Sequence, residues 1–169
     1  GIDAFTDPEE GLKLWMKIAH TYETKLGDVD RAVESYRTAH RVDPMNISPL
    51  NDLERIFKDH GRASDLVDVL IHKSQVVEDL DEKKALLFWT GALYRDALSQ
   101  PEEAIEIYGQ ILLEDPEDLK AIETLEGLYH QEQRWDDLVY ILQNKLTLQE
   151  EDKEQIETLH QIAQLYELE

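Results

Sequence analysis

The 169-residue sequence contains no cysteine, which excludes disulfide bonds, thiolate metal sites and cysteine nucleophiles. Basic residues are also few, with 17 Lys and Arg against 38 Asp and Glu and a formal net charge of −21. Nucleic-acid binding and attraction to an anionic membrane surface both depend on Lys and Arg, so we expect neither. No apolar run approaches the 18 or so residues of a membrane span, and no membrane insertion is expected.

The short motifs of common active sites are missing as well. The seven glycines are scattered rather than gathered into a phosphate-binding loop. The six histidines show no His-Glu-x-x-His or other short metal-ligand spacing. The acidic pair Asp136-Asp137 follows Trp135, where carboxylates are typical of the start of a helix. We therefore predict that the protein is not an enzyme and has no metal site and no cofactor.

What the sequence does contain is an internal repeat of 72 residues. Aligning residues 22–73 with residues 94–145 without a gap gives 15 identical positions out of 52. About three identities are expected by chance at ordinary residue usage. The identical pairs include Tyr22/Tyr94, Ala32/Ala104, Tyr36/Tyr108, Pro44/Pro116, Leu53/Leu125, Arg62/Arg134, Asp65/Asp137, Leu66/Leu138 and Leu70/Leu142. Repetition on this scale predicts a repeat architecture, in which neighbouring units stack on one another.

Each 72-residue unit reads as two pairs of helices. In the first pair, apolar residues from Leu12 to Tyr22 recur at i, i+3, i+7 and i+10, the spacing of one helical face. A turn at Gly27 follows, and a second apolar stripe ends before Pro44. No segment shows the alternation of a strand. Helices are predicted over residues 9–26, 30–42, 48–59, 63–78, 82–98, 101–114, 117–131, 135–148 and 152–168.

The first helix pair resembles a tetratricopeptide repeat with one extra residue in its turn. The matching positions are Trp15, Ala19 and Tyr22 on the first helix and Ala32, Tyr36, Ala39 and Pro44 on the second. The third pair is similar through Leu87, Gly91, Tyr94, Ala104, Tyr108 and Pro116. The second and fourth pairs depart from the pattern, since Glu54 and Glu126 stand where the family has a small residue. The whole is most similar to bacterial arrays of this family.

This resemblance implies an all-α fold, a right-handed α-solenoid of about four and a half helix pairs, or about nine antiparallel helices. We expect a lead-in over residues 1–8 and one domain over 9–169. Its repeat units are predicted at 9–46, 47–80, 81–118 and 119–151, with a lone helix at 152–169. That last helix is apolar on more than one face, through Ile156, Leu159, Ile162, Ala163, Leu165 and Tyr166. We therefore expect the sequence to be a fragment of a longer array.

In this family the first helix of each pair lines a concave groove that holds a partner. Carried onto this sequence, that face comprises Lys13, Met16, His20, Asn51, Arg55, Lys58, Phe88, Ala92, Arg95, Glu123, Gly127, His130, His160 and Gln164. Its four cations, Lys13, Arg55, Lys58 and Arg95, would form a basic strip. Together with the apolar members of the face, the strip favours a peptide with acidic and apolar residues. The alternative is that these cations only balance the negative charge of nearby Asp and Glu side chains on the surface.

The sequence thus predicts a non-catalytic interaction scaffold that binds a peptide or a partner domain. Two alternatives stay open, a self-assembly module that stacks through its terminal helices and a regulatory region of a larger enzyme or sensor. Composition leaves the compartment undecided, because a cysteine-free chain is compatible with reducing and oxidising surroundings. We expect a soluble protein, with the cytoplasm slightly favoured over the periplasm.

Overall fold

The computed structural model describes residues 7–167, and that part of the chain contains nine helices and no strand. They are α1 (Pro8–Thr21), α2 (Val29–Val42), α3 (Ser48–Asp59), α4 (Ala63–Val76), α5 (Leu80–Ala92), α6 (Pro101–Glu114), α7 (Leu119–Gln131), α8 (Trp135–Leu148) and α9 (Asp152–Tyr166). The prediction of an all-α fold is confirmed. The predicted helix boundaries within residues 7–167 lie within two residues of the observed ones, provided that the π turns which follow α1 (Tyr22–Leu26) and α5 (Leu93–Ala97) are counted with those helices. Over the same residues, none of the helices has the length and apolar character needed to cross a membrane.

The chain divides into two compact units, one that ends at Leu86 and one that begins at Leu87. In the first unit, α1 packs on α2, α2 on α3 and α3 on α4. In the second unit, α6 packs on α7, α7 on α8 and α8 on α9. Short turns join successive helices, as in antiparallel helical hairpins. The single domain over 9–169, with its repeat boundaries, stays a prediction.

Side chains and prolines fix where several helices begin. Asp7, Asp28 and Asp118 each accept a hydrogen bond from a backbone N–H in the first turn of α1, α2 and α7, at 2.8–3.0 Å. These bonds satisfy N–H groups that have no partner within the helix. Proline occupies the first turn of α1, α3 and α6, where its missing N–H costs nothing.

A π turn extends α1 over Tyr22–Leu26, and another extends α5 over Leu93–Ala97. A π turn takes more residues than an α turn, because its hydrogen bonds run from i to i+5. It therefore accommodates the extra residue that distinguishes the first helix pair from the family pattern. The third helix pair also has a π turn at the end of its first helix, over Leu93–Ala97.

Left-handed backbone positions also recur at the 72-residue spacing. Gly27 (φ 64°) corresponds to Ser99 (φ 55°), and Gly61 (φ 63°) corresponds to Gln133 (φ 56°). Glycine adopts this conformation freely, whereas other residues do so at a cost. The second unit therefore has the same turn geometry as the first, with Ser99 and Gln133 in place of the two glycines.

The core of each unit is built on an aromatic side chain from one helix against a small residue of the helix before it. In the first unit Ala19, Tyr36 and Ala39 are buried as predicted. In the second unit the ring of Tyr108 lies directly over Gly91, so close that a Cβ atom built there would be 2.5 Å from the ring. The small residue therefore sets how closely the two helices approach. Ala163, the corresponding residue of α9, is exposed.

Replacing Gly91 with alanine should destabilise the protein, although alanine is the better helix former. The added methyl group collides with the Tyr108 ring, and overpacking of this kind costs about 1–3 kcal/mol. Gly109→Ala is the matched control, because a Cβ atom at that position of α6 meets nothing within 4 Å. This control should gain about 1 kcal/mol. Urea unfolding of both variants measures the difference, and equal stabilisation of both would contradict the proposed contact.

Candidate functional site

The first unit holds six of the residues predicted to line a groove, on α1 and α3. Lys13 and His20 are exposed on α1, and Met16 is half-buried between them. The three residues on α3, Asn51, Arg55 and Lys58, are exposed. Lys13 pairs with Glu9 one turn earlier on the same helix.

Arg55 is the centre of an ion-pair network within this unit. Its Nη1 and Nη2 atoms donate to the two carboxylate oxygens of Glu23 at 2.6 and 3.0 Å, and Nη2 also donates to Asp52 at 3.1 Å. The Tyr36 hydroxyl donates to Glu23 from the other side at 3.0 Å. The hydrogen bond from Arg55 lowers the pKa of Glu23 and outweighs the opposing effect of burial. Arg55 therefore ties α3 to the π turn of α1.

We predict that Arg55→Met lowers the free energy of unfolding at pH 7 by about 1 kcal/mol. This is a small value for hydrogen bonds to a charged group, because the guanidinium is partly exposed to solvent. The contribution is present above the ordinary pKa of a glutamate and disappears as the pH falls through the lowered pKa of Glu23. The gap between wild type and variant should therefore close on acidification towards pH 3. Urea unfolding at both pH values tests this. Additive effects of Arg55→Met and Glu23→Gln in a double-mutant cycle would contradict it.

In the second unit, Phe88, Ala92 and Arg95 are engaged with their own surroundings. Phe88 packs against the Tyr108 ring with centroids 5.8 Å apart, and Lys120 Nζ lies 4.1 Å from the Phe88 centroid. Arg95 donates two hydrogen bonds to Asp96, at 2.6 and 2.8 Å. Ala92 is half-buried. The faces of Phe88 are therefore already in contact with the protein.

A concave feature of the second unit lies between α7, α8 and α9. It is a cavity of about 660 Å³, within the size range of ligand pockets in proteins. The cavity is lined by Glu123, Glu126, Gly127 and His130 of α7, Trp135, Leu138, Leu142 and Lys145 of α8, and Gln161, Gln164 and Leu165 of α9. Four of the predicted groove residues are in this set, namely Glu123, Gly127, His130 and Gln164. His160 is exposed on α9 and does not line the cavity.

This α7–α9 cavity has an apolar floor and a polar rim. Leu138 and Leu142 form part of the floor and are buried. Lys145 Nζ donates to Glu126 at 2.8 Å, and both side chains are largely shielded from solvent. The rings of His130 and Trp135 meet edge to face with centroids 5.8 Å apart. Apolar surface is thus available beside a few fixed polar groups.

The equivalent positions of the first unit show what is particular to this cavity. Glu54 and Lys73 form the same ion pair there as Glu126 and Lys145, so that pair belongs to the repeat. Gly127, however, corresponds to Arg55, whose side chain spans to Glu23. A Cβ atom at Gly127 would meet nothing within 4 Å. The second unit therefore lacks the side chain that, in the first unit, extends from this position to the π turn after α1.

Sequence reasoning missed the contribution of α8. The family pattern assigns the groove to the first helix of each pair, whereas Trp135, Leu138, Leu142 and Lys145 come from a second helix. A signal was present in the repeat alignment, in which Trp135 replaces Ala63 and Gly127 replaces Arg55. Both of these positions line the cavity.

A pair of histidines, His40 of α2 and His72 of α4, lies in the first unit. Their ring centroids are 5.7 Å apart. His72 Nδ1 is 2.7 Å from the Asp68 carbonyl oxygen, and the buried His40 Nδ1 has no hydrogen-bond partner among the described residues. Burial lowers the pKa of His40, His72 lowers it further, and Asp43 acts in the opposite direction. The folded protein therefore binds a proton at His40 less readily than the unfolded chain does.

This lowered pKa predicts a loss of stability on mild acidification. The stability that His40 confers is complete above its ordinary pKa of 6.5 and declines as the pH falls below that value, because the unfolded state takes up the proton first. His40→Gln should weaken the dependence between about pH 7.5 and 5.5, the window in which histidines titrate. Urea midpoints across this range provide the measurement. His60→Gln, at an exposed turn, is the control, and equal slopes for wild type and His40→Gln would refute the assignment.

Within residues 7–167, no group of three or more His, Cys, Asp or Glu side chains is placed to hold a metal ion. The candidate site is the α7–α9 cavity, whose lining combines apolar surface with a few fixed polar groups.

Comparison with known proteins identifies the repeat. Residues 12–45 match the family model for the tetratricopeptide repeat. No curated protein sequence matches the chain.

Several solved structures resemble the chain. A tetratricopeptide repeat protein from Parabacteroides merdae is 21% identical with a TM-score of 0.50, covering 92% of this chain and 60% of its own. YrrB, described as a repeat protein of this family with an unusual peptide-binding site, is 15% identical with a TM-score of 0.48, covering 99% and 84%. The MamA protein is 19% identical with a TM-score of 0.47, covering 94% and 82%. At these identities the likeness concerns the fold alone.

Proposed function

We propose that this chain, whose residues 12–45 match the tetratricopeptide repeat, is an interaction scaffold that anchors an apolar side chain of a peptide in the α7–α9 cavity. Repeat proteins of this kind bind partners on the surfaces that their stacked helices create. The observation that carries the proposal is the cavity of about 660 Å³ with an apolar floor. It gathers the predicted residues Glu123, His130 and Gln164 beside a tryptophan that sequence reasoning had not selected.

The floor determines the kind of side chain that fits. Trp135, Leu138, Leu142 and Leu165 present apolar surface, and burial of a large aliphatic or aromatic side chain contributes about 1.5–3 kcal/mol. Such anchors are typical of the residues that dominate binding energy at protein interfaces. A leucine, phenylalanine or tryptophan of the partner is therefore the proposed anchor.

The rim determines what surrounds that anchor. Glu123 is exposed at the mouth of the cavity, whereas Lys145 is already paired with Glu126. Residues 121–169 carry 12 Asp and Glu against 3 Lys and Arg. Charge complementarity then favours Lys or Arg beside the anchor. The amide groups of Gln161 and Gln164 can bond the peptide backbone.

The acidic peptide predicted from Lys13, Arg55, Lys58 and Arg95 is a separate proposal. Three of these cations, Lys13, Arg55 and Arg95, contact a carboxylate of the chain itself. An acidic ligand would have to displace those contacts, whereas the cavity needs no rearrangement. We therefore place the partner at the cavity and expect it to be apolar and basic.

The test copies the first unit into the second. Gly127→Arg introduces the residue found at the equivalent position 55, which places a long, charged side chain at the wall of the cavity and should obstruct it while the helix gains propensity. Peptides selected from a random displayed library on the wild-type chain should contain an aromatic residue or leucine next to Lys or Arg. Their affinity for Gly127→Arg should fall at least about tenfold, the equivalent of 1.4 kcal/mol.

Gly109→Arg is the matched control for this experiment. It makes the same chemical change on α6, at a position that corresponds to Arg37 and where a Cβ atom also has open space. Both variants carry the same added charge, so a general electrostatic effect would change them alike. Selected peptides that bind wild type and both variants equally would overturn the cavity as the site. Selected peptides rich in Asp and Glu would favour the cations of α1 and α3 instead.

A further inference from the structure

One charged pair, Glu126 and Lys145, lines the α7–α9 cavity. Lys145 Nζ donates to Oε2 of Glu126 at 2.8 Å, and the two side chains are 19% and 20% exposed. Glu126 lies on α7 and Lys145 on α8, and each of these helices has a packed neighbour on both sides. The position of the pair is therefore fixed by the packing of the second unit.

This pair uses only one of the two carboxylate oxygens of Glu126. Within residues 7–167, Oε1 has no hydrogen-bond partner. It is also not among the buried polar atoms of that part of the chain that have no partner, so it is accessible. Because Glu126 lines the α7–α9 cavity, this oxygen offers the cavity an open hydrogen-bond acceptor.

The charge of Glu126 is already balanced, so this acceptor favours an uncharged donor. A lysine or arginine of a partner would approach the ammonium group of Lys145, and a shielded cation without its own counter-charge is costly. A carboxylate of a partner would meet Glu123 and Glu126 and has no proton to donate at neutral pH. A neutral N–H or O–H group avoids both costs and is itself satisfied by the bond.

The same occupant must also cover the apolar part of the lining. Trp135, Leu138 and Leu142 lie there beside the acceptor. Tryptophan and tyrosine combine a large apolar ring with a neutral donor, the indole N–H and the phenolic hydroxyl. Leucine and phenylalanine present apolar surface alone.

The first unit contains this arrangement among its own side chains. Oε2 of Glu23 accepts a hydrogen bond from the Tyr36 hydroxyl at 3.0 Å and another from Nη2 of Arg55 at 3.0 Å. The Glu23 side chain is 18% exposed, close to the value for Glu126. In this fold, a shielded carboxylate that is paired with a cation thus accepts a further bond from a neutral aromatic donor.

We propose that the anchor of the peptide is an aromatic side chain with its own donor, tryptophan or tyrosine, and that this donor bonds Oε1 of Glu126. Glu126 is then the residue that determines the specificity of the cavity. This inference rests on the proposed function, since it concerns the same cavity. A leucine or phenylalanine anchor would exclude water from Oε1 without replacing its hydrogen bond, which lowers affinity.

Four versions of one peptide test the proposal on the wild-type chain. The peptide is taken from the displayed-library selection, and its anchor is the position at which alanine weakens binding most. The anchor is then made tryptophan, benzothienylalanine (in which sulfur replaces the indole N–H), tyrosine or phenylalanine. Titration calorimetry should show that tryptophan binds about tenfold more tightly than benzothienylalanine, and tyrosine about tenfold more tightly than phenylalanine, as expected for a hydrogen bond to a charged group.

Glu126→Gln should reduce both ratios to about threefold, because an uncharged acceptor forms a bond about half as strong. Glu54→Gln is the matched control, since it makes the same change in the equivalent ion pair with Lys73. It should leave both ratios near tenfold. Each variant alters one copy of the same pair, so a general loss of stability would affect them alike. The wild-type series decides the question even if one variant fails to fold.

The outcomes separate this inference from the proposed function. If the two members of each anchor pair bind equally while Gly127→Arg still weakens binding, the cavity is the peptide site and the assignment to Glu126 is wrong. Ratios that Glu126→Gln leaves near tenfold, or a selection anchored by leucine, would also contradict that assignment. Peptide binding that Gly127→Arg does not change would overturn the proposed function itself.

Discussion

The structure depends on the fact that one pair of these helices cannot bury its own apolar surface. Each helix carries apolar residues on two faces, so it needs a neighbour on both sides, and stacking supplies them. In the second unit, the contact of the Tyr108 ring with Gly91 limits how closely α5 and α6 approach one another. In the first unit, Tyr36 and Ala19 occupy the equivalent positions and are buried. A small residue at that point allows close packing, and a large one in the next helix fills the remaining space.

Because stacking fixes the backbone so strongly, the two 72-residue units can differ in sequence and keep one geometry. Ser99 and Gln133 adopt the left-handed turns that Gly27 and Gly61 form without strain. The pairs Glu54–Lys73 and Glu126–Lys145 recur unchanged. With the scaffold held in this way, exposed positions are free to diverge. Arg55 is a structural cross-link in the first unit, whereas its counterpart in the second unit, Gly127, lies at the mouth of a cavity.

The fold could be predicted almost completely from the sequence, since helix periodicity, proline and turn residues are local signals. The site could be predicted only in part. Glu123, His130 and Gln164 followed from the position of the first helix in each pair, but Trp135 and Leu138 belong to the second helix. Whether a side chain faces a cavity or a neighbour depends on residues far apart in sequence. The same limit applies to Arg55, whose pairing with Glu23 joins positions 32 residues apart.

In a repeat protein, a binding surface arises wherever the repeat is incomplete. When every position of the pattern is filled, each apolar stripe is covered by the next helix, and the outer surface is polar. The α7–α9 cavity opens beside Gly127, whose equivalent in the first unit is Arg55. That arginine extends to Glu23 on the π turn after α1, whereas Gly127 adds no side chain to the wall that it lines. The two units thus share one backbone and differ in the side chains that it carries, and the proposed anchor site lies where they differ.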